Sequence, residues 1–158
     1  MMQVFHTSPL RIEKPQVNFS RDYLDFGKGF YLTTLRQQAV SYGARFKLRG
    51  KPAVLNCYIL NEDLLATYRT KEFVRYDGEW LDFVLACRTG KDQSDWDVVL
   101  GPIADDKVFR TLDLYFSGEM SREEALRQLN PMLPNNQICI RRQEVLDKAL
   151  CYTQSEIL

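Results

Sequence analysis

The sequence predicts an α+β fold. Apolar, β-branched segments of strand length recur along the chain, segments with helical spacing and capping signals lie between them, and the two kinds do not alternate as a βαβ series would. The chain has 158 residues, 45% of them hydrophobic and 27% charged, which suits one domain spanning residues 1–158 with a core of its own. No repeat, low-complexity tract or Gly/Pro/Ser-rich linker divides it.

Val4-Phe5-His6 reads as a short strand broken at Ser8-Pro9, and residues 9–30 are irregular, closing on the turn-prone Asp25-Phe26-Gly27-Lys28-Gly29. Phe30-Tyr31-Leu32-Thr33 is aromatic and β-branched, hence a strand. Thr34 and Gln37 have capping-box spacing, and Leu35, Ala39, Tyr42 and Phe46 then repeat along one helical face. The run 53–60 suits a buried strand, and Asn61 a cap on a short helix with Leu64, Leu65 and Tyr68. Residues 80–86 read as helix, Asp97-Val98-Val99-Leu100 as a strand ended by Gly101-Pro102, and Asp105-Asp106 as the start of a helix to Phe116. Ser121 and Glu124 form a second capping box, with Pro131 ending that helix after Asn130. A late strand, Gln137-Ile138-Cys139-Ile140, and a last helix near 143–150 complete the reading.

Composition narrows the function. Lys and Arg balance Asp and Glu at 21 each, so no global attraction for a polyanion is implied, although the sum is blind to a local patch. The N-terminus lacks the pattern of a signal peptide and no apolar run is long enough to span a bilayer, so a soluble, cytoplasmic protein without membrane contact is expected. Four cysteines without a CxxC pair and one histidine argue against structural zinc and for reduced, mostly buried core thiols; no metal is expected. The GxSxG, HExxH, Walker A and dinucleotide-fold fingerprints are absent.

Several residues admit two readings. His6 is either a satisfied structural histidine or a general base needing a nucleophile and an orienting partner. Gly27-Lys28-Gly29 is a simple turn or a close approach to a ligand. Tyr31 and Tyr42, on successive elements, either pack in the core or sandwich a flat heterocycle. Asp105 and Asp106 cap a helix or bind a ligand.

His6-Thr7-Ser8 resembles the His-Gly-Ser/Thr motif of ADP-ribosyltransferases of the diphtheria-toxin-like, PARP-like branch, and Phe26-Gly27-Lys28-Gly29-Phe30-Tyr31-Leu32 resembles their Phe-Gly-Lys-Gly-Ile-Tyr-Phe segment. The eleven-residue step from Tyr31 to Tyr42 matches the spacing of their ring-stacking tyrosines, and the Asn136-to-Ile140 strand matches the segment bearing their catalytic glutamate. Over most of its length the chain is also similar to a bacterial family of unknown function, DUF3990. The features shared with that family are the His motif, Asp-Phe-Gly-Lys-Gly-Phe-Tyr-Leu-Thr, Trp-Leu-x-Phe-Val and Gly-Pro-Ile/Val-Ala-Asp-Asp. The similarity is strong over residues 3–42 and looser to about residue 150.

The resemblance implies an ADP-ribosyltransferase-like fold of split, mostly antiparallel sheets. It also implies NAD as co-substrate and mono-ADP-ribosyl transfer to a protein or nucleic-acid acceptor, as a toxin, effector or defence protein with an inhibitory or antitoxin partner. His6 would hold the nicotinamide ribose, backbone groups of Thr7 the carboxamide, and Ser8 would support His6 or touch the ligand. Tyr31 and Tyr42 would stack on the nicotinamide ring, with Gly29 and Ala39 beside it. The loop 11–25 would cover the adenosine, with Arg11 a phosphate partner, and Gln137 would occupy the glutamate position. Thr7 replaces the usual glycine, Ala39 a carboxamide-binding serine, and Gln137 a carboxylate, keeping donor and acceptor but losing the charge and any role as base. Glu144 and Asp105 are the candidates for a substitute carboxylate, and the sequence places neither in the pocket. An NAD glycohydrolase and an inactive nucleotide-binding module are the alternatives.

Overall fold

A computed structural model of the chain describes residues 1–129 and 135–158. Two sheets carry the fold. The first is antiparallel in the order β1 (Met2–Ser8), β3 (Val54–Leu60), β7 (Leu150–Ile157). The second is mixed, in the order β2 (Phe30–Leu32), β6 (Gln137–Ile140), β5 (Val98–Gly101), β4 (Thr70–Glu72), with β4 parallel to β5. The α+β expectation holds in this form, one antiparallel sheet and one mixed. The sheets meet where Phe5 and Thr33 exchange two backbone hydrogen bonds, at 2.8 and 3.0 Å. Beyond that bridge β1 and β2 part.

Alternation along the strands sorts the core into layers. Phe30, Leu32, Ile138, Ile140 and Val98 point to one side of the second sheet, where Val4, Tyr58 and Leu60 of the first sheet and helix α7 (Gln143–Ala149) cover them. Val99 and Cys139 point to the other side, against Phe26, Trp80, Leu81, Val84 and Leu112. Those residues come from α4 (Gly78–Arg88), α5 (Asp106–Phe116) and the loop before β2. Helix α6 (Arg122–Leu129) adds Ala125 and Leu129. Asp77, Asp105 and Ser121 cap α4, α5 and α6 by accepting from the amides of Trp80, Val108 and Glu124. The reading of Pro131 as the stop after α6 lies outside the described residues.

The helix after β2 departs from expectation. The Thr34–Gln37 capping box does not form: α1 (Arg36–Tyr42) begins from Leu35, and the Thr34 hydroxyl accepts instead from Asn136 Nδ2 at 2.6 Å. Nor is there one continuous helical face. The chain breaks at Gly43 into a second short helix, α2 (Ala44–Lys47), and of the four expected face residues only Ala39 is buried. Asn61 stands at the N-cap of α3 (Glu62–Leu65) without a side-chain bond. Strands β4 and β7 were not anticipated, and Cys151, on β7, is exposed rather than core. Cys57, Cys87 and Cys139 are buried and free, and burial pushes the thiols of Cys87 and Cys139 up to about 12, so both stay protonated at neutral pH. No helix among the described residues is long and apolar enough to cross a membrane.

Candidate functional site

The parting of β1 and β2 opens a cleft of about 2060 Å³, wider than a pocket for a single drug-sized molecule. It is lined by His6, Thr7, Ser8, Arg11, Gly29, Tyr31, Ala39, Tyr42 and Gln137 among others. All nine candidate residues therefore share one cavity, although they come from β1, the loop after it, β2, α1 and β6.

His6 spans the split. Its Nδ1 lies 2.7 Å from the Tyr31 carbonyl oxygen, and its ring stacks on Phe30 at 4.3 Å between centroids. A carbonyl only accepts, so Nδ1 carries the proton. Burial holds the imidazole below its ordinary value of 6.5, with the carbonyl bond a smaller opposing influence. The neutral ring then has one acceptor left, Nε2. His6 is thus a structural bridge, and the bridge fixes the tautomer.

Strand parity settles the Thr7 backbone. Phe5 turns its N–H and C=O toward β2, so Thr7, two residues on, turns its own the same way, over the opened cleft. Its side chain goes to the other role: the hydroxyl donates to the Ala39 carbonyl at 2.7 Å. The strand is extended here, and Tyr23 is the one non-glycine residue with positive φ among the described residues, so threonine sits in the glycine position without strain. Ser8 forms a local turn, donating to Leu10 C=O at 2.7 Å and accepting from Leu10 N–H at 3.0 Å, and it makes no bond to His6.

Tyr31 is held at both ends. Its phenol donates to the Gly27 carbonyl and accepts from the Phe26 amide at 3.0 Å, which ties the turn to the strand. Burial, then Cys139, pushes this phenol far above its ordinary range, so it remains a donor. Gly27 takes φ +79°, a left-handed turn position, whereas Gly29 lies against β6. A Cβ on Gly29 would stand 2.5 Å from Cys139 Sγ and 2.7 Å from the Ile140 carbonyl oxygen. The second glycine of the motif thus has a packing reason of its own. Asp25, just before the turn, pairs with Arg88 at 2.7 Å with both side chains largely buried.

Tyr42 is 41% exposed, edge-on to Phe46, with the Arg45 guanidinium 4.0 Å over its ring. Gln137 opens β6 opposite Gly101, and register places it on the same sheet face as Cys139 and Tyr31. Its Nε2 is buried without a hydrogen-bond partner among the described residues, a vacancy that ordinarily calls for an explanation. Arg11 pairs with Glu13 at 2.9 Å on the exposed rim. Of the substitute carboxylates, Asp105 lines the cleft but spends one oxygen capping α5, while Glu144 does not line it and pairs with Arg142 and Lys148.

Three supports were not evident from sequence. Asn136 accepts from Thr33 Oγ1 and the Thr34 amide, both at 3.0 Å, and its backbone carbonyl accepts from Gln38, clasping β2, α1 and β6 together beside Gln137. Asn56 fixes the loop after Ser8 through Leu10 and Ile12. Phe19 and Phe109 present exposed rings to the cleft. Nothing in the local pattern at these positions distinguishes them from ordinary polar or apolar residues.

No curated protein matches the chain. The family described as "Protein of unknown function (DUF3990)" matches residues 2–152, and the chain belongs to that family.

Proposed function

We propose that the cleft binds NAD and that the protein is an NAD-dependent mono-ADP-ribosyltransferase on an ADP-ribosyltransferase-like fold. The observation that carries this reading is the His6 bridge, a neutral imidazole locked in one tautomer beside the free backbone edge of Thr7. An acceptor at Nε2 suits a ribose hydroxyl. An adjacent N–H and C=O on one strand edge suit the C=O and NH₂ of a carboxamide, which is the recognition pattern of nicotinamide riboside. The Tyr31 ring, with its hydroxyl anchored, supplies a fixed flat wall. Tyr42, Ser8, Ala39 and Arg11 line the same cleft, with Tyr42 read as the second stacking ring and Arg11 as the phosphate partner. Gln137 lines the cleft at the position the resemblance assigns to the glutamate.

In the reaction, the bond from ribose C1′ to the nicotinamide nitrogen breaks with its electron pair passing to the ring. The acceptor's lone pair then bonds C1′, and its proton passes to solvent. Held reactants and fixed dipoles lower such a barrier without a protein nucleophile. Gln137 orients but cannot take the proton, which favours transfer of a single unit to an intrinsically good nucleophile. That same amide favours a second reading, an NAD glycohydrolase or an inactive NAD-binding module. The test is nicotinamide release from NAD by purified protein, with and without cell extract, beside Gln137→Ala. Extract-dependent release that falls in the variant supports the transferase, and release without extract supports the glycohydrolase. NAD binding with no release in either condition leaves the binding module.

A further inference from the structure

The net charge of zero conceals a segregation. Residues 26–61 contain Lys28, Arg36, Arg45, Lys47, Arg49 and Lys51 and no Asp or Glu. Four of these cations fall within residues 45–51, at the end of α2 and the turn that follows. The turn is rigid. The Lys51 amide donates to Phe46 C=O and the Gly50 amide to Lys47 C=O, both at 3.0 Å, with Gly50 at φ +70°, the bonding of a Schellman cap. Arg45, Lys47, Arg49 and Lys51 are all exposed, and none is ion-paired among the described residues, whereas nearby Arg36 is tied to Glu156 at 2.5 Å. Leu48, at the tip, is 87% exposed. The patch is continuous with the cleft, whose lining includes Tyr42, Arg45, Phe46 and Lys51.

From this placement we propose that the turn 45–51 docks a single-stranded nucleic acid, with its phosphates on Arg45, Lys47, Arg49 and Lys51. As the acceptor strand it would enter the cleft past Tyr42; that acceptor role rests on the transferase reading, while the docking does not. Four unpaired cations in seven residues, with no carboxylate between them in sequence, answer a repeating anion. Arg45 packed on an aromatic ring is the kind of platform on which bases stack. The strand is single because the candidate reactive groups lie at the base of a cleft, which a nucleotide reaches only when it is out of a duplex stack.

The test is fluorescence anisotropy of a short labelled single-stranded oligonucleotide, RNA and DNA in turn, over a salt series and without NAD. The variant is Lys47→Glu with Arg49→Glu, two exposed positions outside the cleft lining, so its NAD binding and its unfolding midpoint serve as controls. The expected result is binding that weakens at least tenfold in the variant at low salt. Losing two phosphate contacts should also reduce the slope of log K against log salt by about 1.4. Absence of oligonucleotide binding, binding unchanged by the double reversal, a preference for duplex, or capture instead by vesicles rich in anionic lipid would each overturn the proposal. Oligonucleotide binding by a protein that binds no NAD would remove the transferase reading and leave the docking surface standing. NAD turnover without oligonucleotide binding would do the reverse.

Discussion

Replacing Gly29 with alanine separates a packing role from a ligand role at the glycine-rich turn. The added methyl would lie 2.5 Å from Cys139 Sγ and 2.7 Å from the Ile140 carbonyl oxygen, well inside the roughly 3.5–4.0 Å of an ordinary contact. The sulfur belongs to a fully buried side chain, and the oxygen to the backbone of a strand paired on both sides. Neither neighbour yields easily, so β2 and β6 must move apart. Overpacking of this kind costs about 1–3 kcal/mol, and a backbone obstacle places Gly29→Ala near 3 kcal/mol. For a chain of this length that corresponds to a fall in Tm of about 6–12 °C. Urea unfolding of the wild type, Gly29→Ala, Cys139→Ala and the double variant reads the effect directly. Removing the sulfur clears one obstacle and leaves the other, so the double variant should recover about 1 kcal/mol relative to additivity. A Gly29→Ala protein within about 0.5 kcal/mol of wild type would refute the packing argument. If such a stable variant also lost NAD binding, Gly29 would be a close-approach glycine for ligand after all.

Thr7→Val keeps shape but removes the donor to Ala39 C=O, a carbonyl at the end of α1, and should cost about 1–3 kcal/mol in the same unfolding assay. His6→Gln tests the neutral imidazole. Because burial lowers the folded value below 6.5, the unfolded chain binds the proton first as pH falls, so this contribution is intact above about 6.5 and is lost below it. The glutamine variant should therefore show a flatter decline in stability from pH 6.5 toward 5 than the wild type, and an equal slope would contradict the assignment. Gln137→Glu exchanges the unpaired amide donor for a carboxylate, which can only accept and would take its bond from a ribose hydroxyl. The difference between a charged and a neutral hydrogen bond, about 1–1.5 kcal/mol, predicts about tenfold faster nicotinamide release, increasing with pH as the carboxylate ionises, and no gain would count against Gln137 facing the ribose.

Much of the architecture was legible because it rests on local physics. The breaks at Ser8-Pro9 and Gly101-Pro102, the Asp105 cap and the Ser121 cap are short-range instructions that the fold obeys, although the Glu124 carboxylate turns to Arg127 and Gln128 rather than closing the box. The Thr34–Gln37 box failed because Asn136, a hundred residues away, offered Thr34 a better partner. Strands β4 and β7 were illegible for another reason. Thr70-Lys71-Glu72 carries no apolar signal, and β7 alternates weakly as an edge strand with much of its length exposed. Of the site, the residues that share one cleft are those the family resemblance singled out; their own spacing left each of them open to a packing role. The tautomer of His6, the outward edge of Thr7, the vacancy at Gln137 and the packing role of Gly29 depend on how β1, β2 and β6 are brought together, which no local spacing encodes. The charge segregation of residues 26–61 was hidden by summing over the whole chain.

The central claim is that the cleft between β1 and β2 is an NAD site read by His6, Thr7 and Tyr31. A calorimetric titration of NAD into the wild type and into a folded His6→Ala variant tests it most directly, with nicotinamide alone as a second titrant. The account predicts one NAD per chain, competition by nicotinamide, and a loss of affinity of at least tenfold in the variant. Absence of NAD binding by the wild type, or binding that survives the loss of His6 unchanged, would contradict it.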